Sequence, residues 1–257
     1  MHKIKCHFLG EWGYFNVVVL GALYKLFLKK PLLTLDICTF PDYATVLNLV
    51  FPLNVTATTV NFRNDKYIRH EFGLRAKPGI DEMPAEVSEC LASSGHSLNA
   101  RKIVEELPPD LPSTSPPMYY LNQPIRYGAS PGFRYCCIFP RKRAHQPFRN
   151  SKFEDLAGMA AHLGYDTVVV PGLDFEVDTY RQGRLKVVKT NSILEDIAYL
   201  NHADLLISPW SGMAQFAINC GCRKVVYIST GLPSNVRRHI EGNHFPFNPF
   251  GAMREMA

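Results

Sequence analysis

Several common catalytic signatures are absent from this chain of 257 residues. It contains no G-x-x-x-x-G-K-[ST] and no H-E-x-x-H, which excludes a standard phosphate-binding loop and a helix-borne zinc protease site. The nine histidines show no metal-ligand spacing, so no metal site is predicted. There is also no glycine period, sustained heptad or internal repeat, which excludes collagen and coiled coil.

Long apolar runs are also lacking. The most apolar stretch near the start, residues 15–24, is shorter than the roughly 20 residues that span a bilayer. Glu11 precedes it, whereas a signal peptide begins with positive charge. Together with the lysines that close it, the segment 15–30 suits a peripheral contact with a membrane surface, although a buried helix is the preferred interpretation.

The seven cysteines show no pattern typical of disulfides. They stand at positions 6, 38, 90, 136, 137, 220 and 222. The odd number, the adjacent Cys136 and Cys137, and the tight spacing of Cys220 and Cys222 argue against ordinary bridges and against a metal knuckle. We therefore expect reduced thiols and a cytoplasmic location.

Acidic residues are absent from one long stretch, 111–153, which carries seven of the 28 basic side chains. The net charge of the whole chain is +5, so the remainder has 21 basic and 23 acidic residues and a charge of −2. The basic character is therefore local, which favours a small anionic ligand over a polyanionic partner.

Seven prolines between residues 108 and 131 divide the chain, because such a cluster continues neither a helix nor a central strand. Short apolar runs alternate with helical patterns on both sides of it, which predicts parallel sheets covered by helices. The predicted strands of the first half cover 4–9 and 32–37, around a helix at 14–28; 55–62 is extended and 85–107 largely helical. In the second half, strands at 135–139, 167–170, 185–188, 205–207 and 225–228 alternate with helices at 155–163, 193–200 and 213–219.

The expected fold is α/β, with two Rossmann-like domains that face a cleft. A compact N-terminal domain would cover 1–107, a proline-rich linker 108–133 and a C-terminal domain 134–257.

The strongest motif is residues 204–221, DLLISPWSGMAQFAINCG. An apolar strand enters a small-residue turn, and a helix begins at or just after Ser211, a natural N-cap. Gly212 allows a ligand to approach the backbone closely. The free amides and the positive dipole end of this helix suit a phosphate or diphosphate, although an ordinary capped turn fits the motif equally well.

A second motif is the basic loop 139–150, FPRKRAHQPFRN, which follows the first strand of the second half. Its cations are expected at the same sheet edge as the Ser211 turn, where arginine guanidinium groups match phosphate oxygens. The alternative is a solvated loop. A third motif, residues 10–16 (GEWGYFN), forms a turn after the first strand, where the Glu11 carboxylate could act as a general base.

The C-terminal half resembles the donor-binding domain of GT-B glycosyltransferases, in particular of heptosyltransferase-like enzymes. The resemblance rests on 139–141 (FPR), 149–150 (RN), 168–172 (VVVPG), the helix around Leu194 and 203–217 (ADLLISPWSGMAQFA). It implies that Ser211, Gly212 and Met213 hold the diphosphate of a nucleotide sugar, with Arg149, or alternatively Arg141 or Arg143, as the cation. The remaining expected binding residues are Asn150, Gly172, Trp210 and Gln215, the last standing where the family commonly has histidine.

The first half resembles the family only in its α/β pattern. The turn reads Gly13-Tyr14 where the family often has Gly-Asp. The general base is therefore unassigned, with Glu11 as the first candidate and Asp42 as the second.

The resemblance implies a metal-independent glycosyltransferase without a cofactor, which moves a sugar from a UDP-, GDP- or ADP-linked donor to a hydroxyl of a glycan or glycoconjugate. An epimerase or hydrolase of nucleotide sugars on the same fold is the alternative. A nucleic-acid-binding module is disfavoured, because the basic stretch lacks interleaved stacking aromatics and the pI is only 8.8.

Overall fold

The chain divides into two compact units, Met1–Leu121 and Asn122–Ala257. A computed structural model describes residues 3–62, 67–69, 74–76, 83–98, 121, 123–141, 151–172, 185–209 and 211–228. Residues 108–120 and 122 of the predicted linker 108–133 lie outside these residues, and the proposed domain boundaries stay a prediction.

Unit 1 is built on a three-stranded parallel sheet in the order β1-β2-β3. Its strands are β1 (Lys3–Phe8), β2 (Thr34–Thr39) and β3 (Val55–Thr59). Its helices are α1 (Trp12–Tyr14), a π-helical turn (Phe15–Val19), α2 (Leu20–Lys29), α3 (Pro41–Val50) and α4 (Ala85–Ser94). A separate antiparallel pair joins β4 (Tyr67–Arg69) to β5 (Leu74–Ala76).

The helical segment from α1 to α2 forms much of the core of unit 1. Every residue from Tyr14 to Leu23 is buried, and exposure begins only at Leu28. The buried-helix interpretation of 15–30 is therefore confirmed for most of its length. Its apolar side chains pack inside the unit because they surround the helix on more than one face.

Several elements of unit 1 differ from the sequence prediction. Pro41 begins α3, a helix that the sequence analysis did not predict; proline suits a first turn because its missing N–H has no helical partner there. The helix expected over 85–107 ends at Ser94, because Gly95 adopts φ +69°. The antiparallel pair β4–β5 was also not predicted.

Cys38 and Cys90 form a disulfide that ties β2 to α4, with their Cα atoms 6.2 Å apart. The expectation that every cysteine is reduced is therefore wrong for this pair. Its partners are 52 residues apart in sequence, and only the fold brings them together. The other five cysteines are free and buried, as expected. The cytoplasmic location stays a prediction.

Unit 2 is built on a five-stranded parallel sheet in the order β10-β9-β6-β7-β8. The strands are β6 (Cys136–Ile138), β7 (Thr167–Val170), β8 (Lys186–Lys189), β9 (Leu206–Ser208) and β10 (Val225–Tyr227). They alternate with α5 (Phe153–His162), α6 (Ile193–His202) and α7 (Gly212–Asn219). The predicted α/β class and the two parallel sheets are confirmed.

The inner strands of the unit 2 sheet are covered because they are largely apolar, whereas the edge strand β8 has an exposed lysine at each end. Val168, Val170, Ile138 and Ile207 are fully or almost fully buried against Leu156 and its neighbours on α5. Both faces of a central parallel strand need such cover, which explains why the runs are continuous rather than alternating. Within the described residues, no helix is both long and apolar enough to cross a membrane.

Replacing both cysteines of the disulfide with alanine should lower the free energy of unfolding by about 2–4 kcal/mol, because the bridge restricts the unfolded chain across a separation of 52 residues. Urea unfolding with and without a thiol reductant measures the loss. The reductant should destabilise the natural chain and leave Cys38→Ala/Cys90→Ala unchanged. Equal stability of the natural chain under both conditions would contradict the bridge.

Candidate functional site

The strand order of unit 2 reverses at β6, the first strand of the unit along the chain. β6 pairs with β7 on one side and with β9 on the other, all in parallel. The loops that follow β6 and β9 consequently leave neighbouring strand ends and lead to different helices. In open α/β sheets, ligands bind in the crevice at such a switch point, outside the carboxyl ends of the strands.

Ser211 caps the helix that starts at this edge. It has extended backbone angles, φ −150° and ψ 164°, and its Oγ accepts a hydrogen bond from the Ala214 amide at 3.2 Å. Ser208 lies 3.1 Å away, Oγ to Oγ, and is fully buried. The cap occupies the Ala214 amide and leaves the amides of Gly212 and Met213, the first two of α7, outside the helical pattern. Those two amides are the predicted anion donors.

Gly172, after β7, closely approaches Phe139, which follows β6, and Met213 in the first turn of α7. Its φ is +103°, a conformation that favours glycine. A Cβ at this position would lie 2.9 Å from Cε2 of Phe139 and 3.6 Å from Cε of Met213. The structure thus brings together Gly172, Met213 and the residue that follows β6, as their placement at strand ends predicts.

A buried carboxylate positions the Gly172 turn. Asp196 on α6 is 1% exposed, and its Oδ1 accepts hydrogen bonds from the Gly172 amide at 3.0 Å and from Thr190 Oγ1 at 2.5 Å. The backbone amide of Thr190 donates to the Val170 carbonyl at 3.3 Å. Neither side chain is predicted from the sequence as part of the site, because an acidic residue in the first turn of a helix usually only complements the helix dipole. A threonine directly after β8 was the only available signal.

The basic loop is anchored at its base. Arg141 and Ser151 pair as a short antiparallel bridge, with backbone hydrogen bonds of 3.2 and 2.9 Å, so both ends of the loop are held beside the end of β6. Arg143, Arg149 and Asn150 lie outside the described residues, as does Trp210 in the other loop, and their assignments stay predictions.

Gln215, the fourth residue of α7, has an unsatisfied acceptor. The residue is 7% exposed, and its Oε1 has no hydrogen-bond partner among the described residues. Leaving a buried acceptor unsatisfied costs about 1–3 kcal/mol. A ligand group that donates a hydrogen bond to this oxygen would remove that cost.

The two candidate bases lie at one edge of the sheet of unit 1. Glu11 is exposed in the turn after β1, and Asp42 is partly exposed in the first turn of α3, directly after β2. The Tyr43 hydroxyl donates to the Gly10 carbonyl at 2.9 Å and so joins the two segments. The centroids of the Trp12 and Tyr43 rings are 4.9 Å apart, so the Glu11 turn also packs against α3 through aromatic side chains.

The cysteines near the sheet of unit 2 are not nucleophiles. Burial raises the pKa of the Cys136, Cys137 and Cys220 thiols well above the usual value, and that of Cys222 to about 12. All four are therefore neutral near pH 7 and pack as small apolar side chains. Among the residues whose positions are described, no three His, Cys, Asp or Glu side chains form a metal-binding group.

Solved glycosyltransferase structures share this fold. A glycosyl transferase of family 9 from Veillonella parvula matches with a TM-score of 0.54 and 13% identity, over 88% of this chain and 79% of its own. The ADP-heptose lipopolysaccharide heptosyltransferase II of Escherichia coli matches with 0.51 and 10%, over 88% and 85% of the two chains.

The heptosyltransferase TibC of enterotoxigenic E. coli, solved with ADP-D-β-D-heptose, matches with a TM-score of 0.50 and 16% identity over 91% of this chain. The match spans only 61% of TibC. No protein-family model and no curated protein matches the sequence. The resemblance to heptosyltransferases is confirmed at the level of the fold.

Replacing Gly172 with alanine should destabilise unit 2 by about 1–3 kcal/mol, because the new Cβ would meet the Phe139 ring at 2.9 Å and the backbone would be strained. The matched control is Gly164→Ala, which has a similar positive φ of +78° but nothing within 4 Å of the added atom. Thermal unfolding measures both variants. Equal losses would show that the contact with Phe139 contributes nothing.

Proposed function

We propose that the chain is a glycosyltransferase whose unit 2 binds a nucleotide-diphosphate sugar and whose acceptor is a hydroxyl of a glycan or glycoconjugate. The observation that carries the proposal is the start of α7 at the switch point of the sheet. There, the amides of Gly212 and Met213 begin α7 beside the closely packed Gly172 turn. The basic loop leaves the neighbouring strand β6, and its two ends are joined by the bridge between Arg141 and Ser151. The shared fold with family 9 enzymes supports it.

The leaving group determines what this site must supply. As the sugar is transferred, the bond between its anomeric carbon and the diphosphate oxygen breaks, and negative charge develops on the nucleoside diphosphate. Helix-start amides and arginine side chains stabilise such charge in a fixed geometry. Arg141, together with Arg143 and Arg149 of the loop, would supply the cations, so we propose a reaction that needs no metal ion.

The buried acceptor of Gln215 indicates a second contact with the donor. Phosphate oxygens cannot satisfy the Gln215 Oε1, because both groups are acceptors. A hydroxyl of the ribose or of the transferred sugar can donate to it. The glutamine would then contribute to choosing the ligand rather than to holding its charge.

Glu11 and Asp42 are the proposed bases. One of these carboxylates would take the proton of the acceptor hydroxyl, while the oxygen of that hydroxyl forms the new bond to the anomeric carbon. Glu11 is the first candidate, because its turn directly follows β1 and is held by the Trp12–Tyr43 ring contact and the hydrogen bond from Tyr43 to Gly10.

A thermal-shift panel tests the binding step. ADP-heptose is the first probe, since TibC was solved with it, followed by UDP- and GDP-sugars and the free nucleoside diphosphates. We expect at least one of them to raise the melting temperature, and EDTA to leave the shift unchanged. No shift with any nucleotide would contradict the proposal, and a shift that requires a divalent ion would contradict its metal-independent form.

Gly212→Pro and Gly212→Ala sharpen this test. Proline suits the first position of a helix, and Ser211 already has the extended backbone that precedes proline, so Gly212→Pro removes one amide with little strain. A lost charge-assisted hydrogen bond should weaken binding roughly tenfold to a hundredfold. Gly212→Ala retains the amide and adds only a methyl group, so it should bind the nucleotide more tightly than Gly212→Pro. Equal binding by both variants would show that this amide does not hold the diphosphate.

The base is tested with Glu11→Gln and Asp42→Asn. Removing the base should lower the rate of sugar transfer about a hundredfold or more, because it removes general base catalysis, while the thermal shift by the donor remains. Product analysis without an acceptor is the companion measurement. A free sugar epimer as product would favour the epimerase alternative, and undiminished transfer in both variants would exclude these carboxylates as the base.

A further inference from the structure

Helix α4 contacts the sheet of unit 1 through a narrow stripe of side chains. Three of its ten residues are buried, namely Val87, Cys90 and Ser94, and Val87 is the sole aliphatic side chain among them. Their spacing of three and four residues places them on one face of the helix. Glu86 and Glu89, between them in sequence, are exposed. Because α4 buries little apolar surface, the hydrophobic effect alone holds it only weakly.

The intrinsic stability of α4 is also low. It has 10 residues, fewer than the roughly 12–15 that an isolated helix needs in water. Its N-cap, Pro84, makes no side-chain capping hydrogen bond. Three of its residues are serines, which favour a helix less than alanine or leucine does. The helix therefore depends on its attachments to the sheet.

Two neighbouring residues of the sheet provide these attachments. His7 of β1 and Cys38 of β2 are partners in the parallel register, so their side chains leave the same face of the sheet. Cys38 forms the disulfide with Cys90. His7 Nδ1 lies 2.6 Å from Ser94 Oγ, one helical turn further along α4. The Ser94 hydroxyl donates to the Cys90 carbonyl at 2.7 Å, so the proton of the first contact is on His7 Nδ1. We call the disulfide and the His7–Ser94 hydrogen bond the α4 clamp.

The chain after α4 continues along the edge of β1. The His7 amide donates to the His96 carbonyl at 2.9 Å, and the Leu98 amide donates to the His7 carbonyl at 2.7 Å. Residues 96–98 thus pair with the carboxyl-terminal part of β1. Glu11 lies in the turn that follows this strand. The α4 clamp therefore supports, from one side, the strand that leads to the proposed base.

We propose that the Cys38–Cys90 bridge is a reversible redox switch, which a dithiol reductant opens to release α4 and residues 96–98 from the sheet. In the reduced chain, the His7–Ser94 hydrogen bond and the burial of Val87 are the main remaining attachments of the helix. Opening of such a thinly packed segment costs much less free energy than unfolding of the whole unit.

The core of unit 1 lies on the opposite face of the sheet and does not need the bridge. Phe8 alternates with His7 along β1, so its side chain leaves the other face. Its ring centroid is 5.9 Å from that of Phe15 and 6.0 Å from that of Tyr43 on α3. These contacts involve neither α4 nor a cysteine. Reduction is therefore expected to release α4 and to leave the rest of the unit folded.

The exchange reaction balances with the dithiol as its co-reactant. A thiolate of the reductant attacks Sγ of Cys38, the more exposed of the two residues at 8% against 5%. The bond between the two cysteine sulfurs breaks, and Cys90 leaves as a thiolate that takes up a proton. The second thiol of the reductant then attacks the reductant sulfur of the mixed disulfide, and Cys38 leaves in turn. The chain gains two thiols, and the reductant becomes a cyclic disulfide.

Hydrogen exchange of the full chain, followed by mass spectrometry with and without dithiothreitol, tests the switch. The amides of residues 87–98 should exchange about thirtyfold or more faster in the reduced chain, because the covalent constraint on α4 is lost. Exchange in α2 and in β6 should stay unchanged. Removal of the reductant and addition of oxidised glutathione should restore slow exchange over residues 87–98.

Two variants control this measurement. Cys38→Ala/Cys90→Ala should exchange rapidly over residues 87–98 with and without reductant. Cys6→Ala removes a cysteine that is free and buried, so it should respond to the reductant as the natural chain does. A natural chain that gains no hydrogens in mass under dithiothreitol, equal exchange over residues 87–98 in both redox states, or faster exchange throughout unit 1 would each overturn the proposal.

The effect on activity rests on the proposed function. Release of residues 96–98 removes support beside Glu11, so reduction should lower the rate of sugar transfer about tenfold or more, because the base is less well aligned. The thermal shift by the donor should remain. Cys38→Ala/Cys90→Ala should have the lower rate under both conditions. Equal rates in both redox states would overturn a regulatory role for the bridge. Redox-dependent exchange without sugar transfer in either state would contradict the proposed function and support the switch.

Discussion

The candidate site of unit 2 depends on the central position of β6 in its sheet. Because β6 lies between β7 and β9, three consecutive strand ends deliver Phe139, Gly172 and Ser211 to one edge. Parallel pairing determines this arrangement before any side chain is considered, since the carboxyl ends of parallel strands must meet. The buried Asp196 carboxylate then fixes the Gly172 turn, and Ser211 orients the helix that starts beside it. A ligand would meet mostly backbone groups that are already positioned.

Much of unit 2 could be predicted from local patterns. Three of its features have short-range sequence signals that the structure confirms. They are the continuous apolar runs of the inner strands, the helix cap at Ser211 and the turn at Gly172 after a β-branched run. Thr190 and Asp196 act together across different elements, so no single window of sequence reveals their contact with the Gly172 amide. The orphaned acceptor of Gln215 is likewise a property of the packed site, because only burial distinguishes it from an ordinary helical glutamine.

Unit 1 was harder to predict, for identifiable reasons. α3 begins with a proline and contains a threonine and an asparagine, and the resulting pattern is a weak helical signal. The pairing of Cys38 with Cys90 is decided by where β2 and α4 meet, which spacing alone cannot show. The segment 15–30, with its apolar run and closing lysines, also suits a membrane contact in the sequence, but most of that segment is buried.

The central claim is that the first amides of α7 hold the diphosphate of a nucleotide. A crystal structure of the chain with ADP bound tests it most directly. The account predicts phosphate oxygens about 3 Å from the backbone nitrogens of Gly212 and Met213, with the ADP beside Gly172. ADP bound elsewhere on the chain, or bound at this edge with its phosphates turned away from those two nitrogens, would contradict the account.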